Sequence, residues 1–165
     1  METPLELEAW SEFNVAMLGG TAALVGLLIV AMSVNIKDIL AAEPLPARAA
    51  AAVATLTLAL VVCALGLVPG QPLWAYGAEA AVGTAVLAVV VIRAVRSVYR
   101  SQGAPRGTRF PKAVLILAPV LAYAGGSVLL LAGDAAGLAW LGTGAVLGVI
   151  GGASFAWVAL IEILR

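Results

Sequence analysis

The 165-residue chain has no histidine, one cysteine and few charges. The lack of histidine excludes imidazole proton relays, most haem ligation and most zinc sites. Cys63 stands alone inside an apolar run, so no intrachain disulfide forms and the residue reads as a small packing element. Charged residues are 11% of the chain, nine basic and nine acidic, against about 25% in a typical soluble domain. So few charges cannot coat a globule. No nucleophile has a neighbouring base, no metal-ligand spacing occurs, and neither a phosphate-cradling loop nor a nucleic-acid motif is present. The sequence therefore predicts no enzyme, no cofactor and no nucleic-acid partner.

What the chain has in abundance is apolar length. It is 63% hydrophobic, with a mean hydropathy of +1.09, so most of its surface must be solvated by lipid. The opening Met1–Glu8 is acidic where a secretory signal needs positive charge, and no small-residue cleavage site follows at the right place. The first apolar run thus reads as a retained spanning helix.

A spanning helix needs roughly 20 mostly apolar residues. Five runs meet this: 13–36, 49–68, 75–92, 113–132 and 138–161. Between them lie Lys37–Arg48 with Pro44 and Pro46, the turn Pro69-Gly70-Gln71-Pro72, the segment Ser101–Lys112 with two glycines and two prolines, and the short Gly133–Gly137 loop. The fold class is therefore all-α, a single polytopic bundle over residues 1–165.

The charges orient it. Lys37, Arg48, Arg93, Arg96, Arg100, Arg106, Arg109, Lys112 and Arg165 fall on one side only if the number of crossings is odd. The positive-inside rule then sets the N-terminus outside and the C-terminus in the cytoplasm. Glu2, Glu6, Glu8, Glu12 and Asp134 lie outside. Trp10, Phe13, Trp74, Tyr76 and Trp140 map to the outer interface as aromatic anchors, and Trp157 maps to the inner one.

Helices in lipid associate through close approach of small residues and a few polar contacts. Gly144, Gly148, Gly152 and Ala156 recur every four residues on the fifth span. The pattern leaves open whether their partner belongs to the same chain or to another subunit. The first span carries a similar ridge of Ala16, Gly19, Ala23 and Gly26, continued by Ser33 and begun by Glu12. Asn14, Thr21 and Asn35 recur every seven residues on a different face. They either line a polar path or, more simply, the two asparagines cap the helix at the interfaces. Pro119 predicts a kink in the fourth span, with Tyr123 and Ser127 placed to satisfy the groups it exposes.

Glu79 sits about one turn inside the third span, and an intramembrane carboxylate is a functional candidate by default. With Glu12 and Asn14 as partners it would form an acidic outer mouth that concentrates cations. The alternative is a wet interfacial carboxylate that starts the helix. Arg93, Arg96 and Arg100 form one stripe, and with Arg106, Arg109 and Lys112 they make an inner basic cluster for anionic headgroups. An anion site or an Arg93–Glu162 salt bridge is the sharper alternative.

Trp10-Ser11-Glu12-Phe13, Gly19-Gly20-Thr21-Ala22-Ala23-Leu24-Val25-Gly26-Leu27 and Met32-Ser33-Val34-Asn35-Ile36 resemble the opening of a widespread family of small bacterial membrane proteins. Val68-Pro69-Gly70-Gln71 is also similar. Some members carry the label "modulator of FtsH protease". The resemblance implies a multi-pass protein of the bacterial cytoplasmic membrane and brings no catalytic or binding residue. Two functions are expected from these readings. One is a homo-oligomeric channel, with an acidic outer mouth for cations and a pore around a symmetry axis. The other is an accessory protein that binds another membrane protein through its glycine-rich faces.

Overall fold

A computed structural model describes residues 7–41, 45–100 and 109–162, although the side chains of 109, 111, 112, 161 and 162 are not part of that description. It contains α1 (Ser11–Val34), α2 (Ile36–Ala41), α3 (Leu45–Leu65), α4 (Leu73–Arg100), α5 (Arg109–Leu131) and α6 (Ala136–Trp157), which runs into a π-helical turn at Val158–Glu162. Among the described residues five helices are long and apolar enough to cross a membrane. The all-α polytopic bundle expected from hydropathy is the fold.

The spans alternate in direction. At one end, Gly142 at the start of α6 lies against Trp10 and Phe13, and Gly77 at the start of α4 lies against Leu130 at the end of α5. At the other end, Asn35 after α1 donates to the Ala159 carbonyl beyond α6, and the Arg48 guanidinium near the start of α3 lies over the Phe155 ring. Glu12, Glu79 and Asp134 therefore share the first end, and Lys37, Arg48, Arg93, Arg96 and Arg100 share the second. We call these the acidic and basic ends.

Helices α3, α4, α5 and α6 form a four-helix ring that the α3–α6 contact closes, with α3 also touching α5 across it. Helix α1 packs outside that ring, on α3 and α6. Three apolar clusters fill the interior, the smallest of them Ala59, Cys63 and Ala145. The largest joins Leu58, Val62, Tyr76, Leu87, Tyr123, Leu130 and Leu141, and another joins Leu28, Ile39, Leu56, Phe155 and Ala159 toward the basic end.

Two of the connections depart from expectation, and the α5–α6 hairpin is short as expected. Helix α4 continues to Arg100, because the arginine stripe ends the apolar run without ending the helix: Arg93, Arg96 and Arg100 all face outward. The first connection is partly helical, with α2 and the first turn of α3 inside it. Pro46 stands in that first turn, where a missing N–H forfeits no intrahelical bond. The α5–α6 hairpin is tight. Gly133 takes φ +81° and donates to the Leu130 carbonyl at 3.0 Å, while Asp134 N donates to the Leu129 carbonyl at 2.9 Å. This pair of bonds is a Schellman cap, which needs a residue free to adopt the left-handed region. The Asp134 carboxylate then accepts from Ala136 N at 2.9 Å and opens α6.

Candidate functional site

The two glycine ridges have opposite fates. Those of α6 face inward. A Cβ on Gly144 would lie 2.8 Å from the Tyr123 ring, one on Gly148 3.2 Å from the Thr55 methyl, and one on Gly152 2.5 Å from Leu56. Their partners are α5 and α3 of the same chain. The hairpin is closest at Gly126 and Gly137, where a Cβ on either would approach the other's carbonyl oxygen within 2.9 Å.

Helix α1 behaves differently. Glu12, Ala16, Gly19, Ala23, Gly26 and Ser33 are all exposed, and a Cβ on Gly19, Gly20 or Gly26 would meet nothing within 4 Å. The opposite face of α1 holds its seven-residue series, and it is buried: Asn14, Thr21, Leu28 and Asn35 all turn toward α3 and α6. This corrects the reading of Asn14 as an interfacial cap, since Trp10 holds that position; Asn35 does stand at the C-cap of α1, but buried. The Asn35 amide bonds the Ala31 carbonyl at 3.2 Å and the Ala159 carbonyl at 3.0 Å. Asn14 packs over Gly66 beside the Tyr76 hydroxyl. Thr21 donates to its own helix, to the Met17 carbonyl at 2.6 Å. Out of reach of water, Thr21 and Asn35 thus take backbone carbonyls as partners.

Tyr76 is likewise not an interfacial anchor. It is buried, and its hydroxyl donates to the Val62 carbonyl at 3.0 Å. Trp74, Trp140 and Trp157 are exposed as an anchor requires, and Trp10 stacks edge-on against Phe13 with centroids 5.4 Å apart. Tyr123 and Ser127 do not rescue the groups exposed by Pro119. Their hydroxyls are buried with no hydrogen-bond partner, because the Tyr123 ring is wedged over Gly144 instead.

The three ion candidates are dispersed. Glu12 is exposed on α1, Asn14 is buried beside it on the inward face, and Glu79 is exposed on α4. The Glu79 carboxylate accepts from the Gln71 side-chain amide in the α3–α4 turn, so its partner is neither Glu12 nor Asn14. Exposed Val82, Val86 and Val89 follow it along α4 toward the basic end. Of the basic cluster, Arg93, Arg96 and Arg100 form the expected outward stripe. Arg109 and Lys112 begin α5; their side chains, Arg106 and the Glu162 carboxylate lie outside the described residues. Among those residues no group of three potential ligands gathers for a metal ion.

Sequence reasoning missed a cleft of about 50 Å³ between α3, α5 and α6 at the basic end. Its walls are Ala51, Ala52, Thr55, Leu115, Ile116, Pro119 and the Gly148–Gly152 face, with Arg48, Ser154 and Phe155 toward its mouth. Two sequence signals mark it: Pro119, which cannot donate to the Leu115 carbonyl, and the extra glycine at Gly151 beside the ridge.

These features define the class: a multi-pass α-helical membrane protein with a closed four-helix ring and one helix outside it. Comparison with models of protein families, with curated proteins and with solved structures finds no match.

Proposed function

We propose that this protein is an accessory membrane module that docks laterally on another transmembrane helix through the small-residue ridge of α1. The observation that carries the reading is the contrast between two like ridges, one filled by the chain itself and one left open. Glycine inside a helix costs about 1 kcal/mol relative to alanine, and a Cβ on Gly19, Gly20 or Gly26 would enter open space, so no close packing within the described chain requires glycine there. Close approach of a second backbone would offset the cost. The resemblance to small bacterial membrane proteins, some labelled modulators of a protease, points the same way. With the basic end inside by the positive-inside rule, the compartment we assign is the bacterial cytoplasmic membrane.

A ring of copies around α1 is the second reading, because Glu12 heads the same exposed ridge. Its wall would be Ala16, Gly19, Ala23, Gly26 and Val30, and none of these offers a side chain to replace an ion's hydration. The accessory reading takes precedence for that reason. Cross-linking in native membranes from an Ala23→Cys variant, with Cys63→Ala as background, tests both. A product of fixed stoichiometry with a different membrane protein is expected. A ladder of self-products, together with cation flux in proteoliposomes that Glu12→Gln abolishes, favours the ring. If no product forms at position 23 while exposed Val82→Cys cross-links freely, the ridge is not an interface.

A further inference from the structure

We propose that the cleft between α3, α5 and α6 seats one acyl chain of an anionic phospholipid, with the lipid phosphate held at Arg48. The cleft runs from Arg48 to Thr55, seven residues along α3, or about 10 Å at the rise of a helix. Phe155, Gly152 and Gly148 follow it down α6, and Leu115, Ile116 and Pro119 close it on α5. The small residues create the space. A Cβ on Gly151 would have only the Leu115 carbonyl oxygen nearby, at 3.9 Å.

Chemistry selects the occupant. The two hydroxyls of the lining already donate within their own helices, Thr55 to the Ala51 carbonyl at 2.7 Å and Ser154 to the Ile150 carbonyl at 2.7 Å. A buried water needs two to four polar partners, and below the Arg48 mouth the lining keeps only the acceptor sides of these hydroxyls and the Leu115 carbonyl among apolar walls. A hydrocarbon chain needs none. At the mouth, the Arg48 guanidinium lies over the Phe155 ring, 5.7 Å from its centroid, which fixes a cation where an inner-leaflet headgroup would sit. Arginine matches phosphate oxygens in a two-pronged geometry. Arg93, Arg96 and Arg100 attract anionic lipid too, but they lie on the outward face of α4, away from the cleft.

The test is native mass spectrometry of the purified chain in detergent, with phosphatidylglycerol or phosphatidylcholine of identical acyl chains added. One phosphatidylglycerol retained per chain is expected, preferred about fivefold, the effect of one basic residue at an anionic surface. Gly151→Leu fills the cleft and abolishes this retention. Arg48→Gln equalises the two headgroups, Arg48→Lys restores the preference, and Arg93→Gln leaves it unchanged. Equal retention of both lipids by the wild-type chain overturns the proposal, as does retention that Gly151→Leu leaves intact at native helicity. Should Arg48→Gln fail to fold, Gly151→Leu and Arg48→Lys still decide.

Discussion

The side-chain amide of Asn35 donates to the Ala159 carbonyl oxygen at 3.0 Å, joining residues 124 positions apart. It fastens the outlying helix α1 to the π-helical turn that follows α6. A π turn displaces carbonyls from the regular ladder, and here one of them receives a donor from the opposite end of the sequence. Asn35→Ala removes that bond. We expect a loss of about 0.5–2 kcal/mol, the range for interhelical hydrogen bonds in membranes, read as a lower midpoint of thermal unfolding in detergent.

Gly144→Ala and Gly19→Ala should separate the two ridges. At position 144 the new methyl meets the Tyr123 ring at 2.8 Å, and overpacking of this kind costs about 1–3 kcal/mol. At position 19 it meets nothing, so helix propensity favours alanine by up to about 1 kcal/mol. Thermal unfolding of the two variants should therefore shift in opposite directions. A bulkier Gly19→Leu should leave the fold intact and abolish lateral cross-linking.

The Schellman cap makes a third expectation. Gly133 holds φ +81°, a region that costs an L-residue about 1–2 kcal/mol. Gly133→Ala should lower stability by that amount, and Gly133→Asn by less, since asparagine tolerates the left-handed region better. Chemical unfolding of the two variants checks the order.

Labelling reads the orientation directly. Cys63 is buried, so an impermeant maleimide should leave the wild-type chain unmodified. Asp134→Cys at the acidic end should react from outside intact cells, and Lys37→Cys at the basic end only after the membrane is opened. Reaction of both from the same side removes the assigned topology.

Much of the fold was legible because crossing a bilayer demands long apolar runs and because charges sort by side. The five spans and the up-down alternation both follow from that. The facing of each helix did not follow. In water, the buried face of a helix is its apolar one. In lipid both faces are apolar, so the ridge of Gly19 and Gly26 and the ridge of Gly144 and Gly148 look alike in sequence while pointing opposite ways. Tyr76 was misread for a related reason. A tyrosine near a span end fits the headgroup level, and nothing local reveals that the Val62 carbonyl lies within its reach. Arg48 counted only as a topological charge, because its neighbour Phe155 is more than a hundred residues away. Glu12, Glu79 and Asp134 were expected at one end and lie there, yet depth along a helix says nothing about azimuth. Glu12 and Glu79 share a level without sharing a site.

The position of α1 outside the ring has a consequence for biogenesis. Helix α1 leaves the ribosome well before the segment whose carbonyl its Asn35 bonds. At about 5–20 residues per second, translation of the intervening 124 residues takes roughly 6 to 25 s. Throughout that interval the asparagine amide has no Ala159 carbonyl to receive it, and a chain truncated before its final crossing never acquires one. Arrival of the Ala159 segment thus changes how α1 is held: before it, by packing alone; after it, by a hydrogen bond as well.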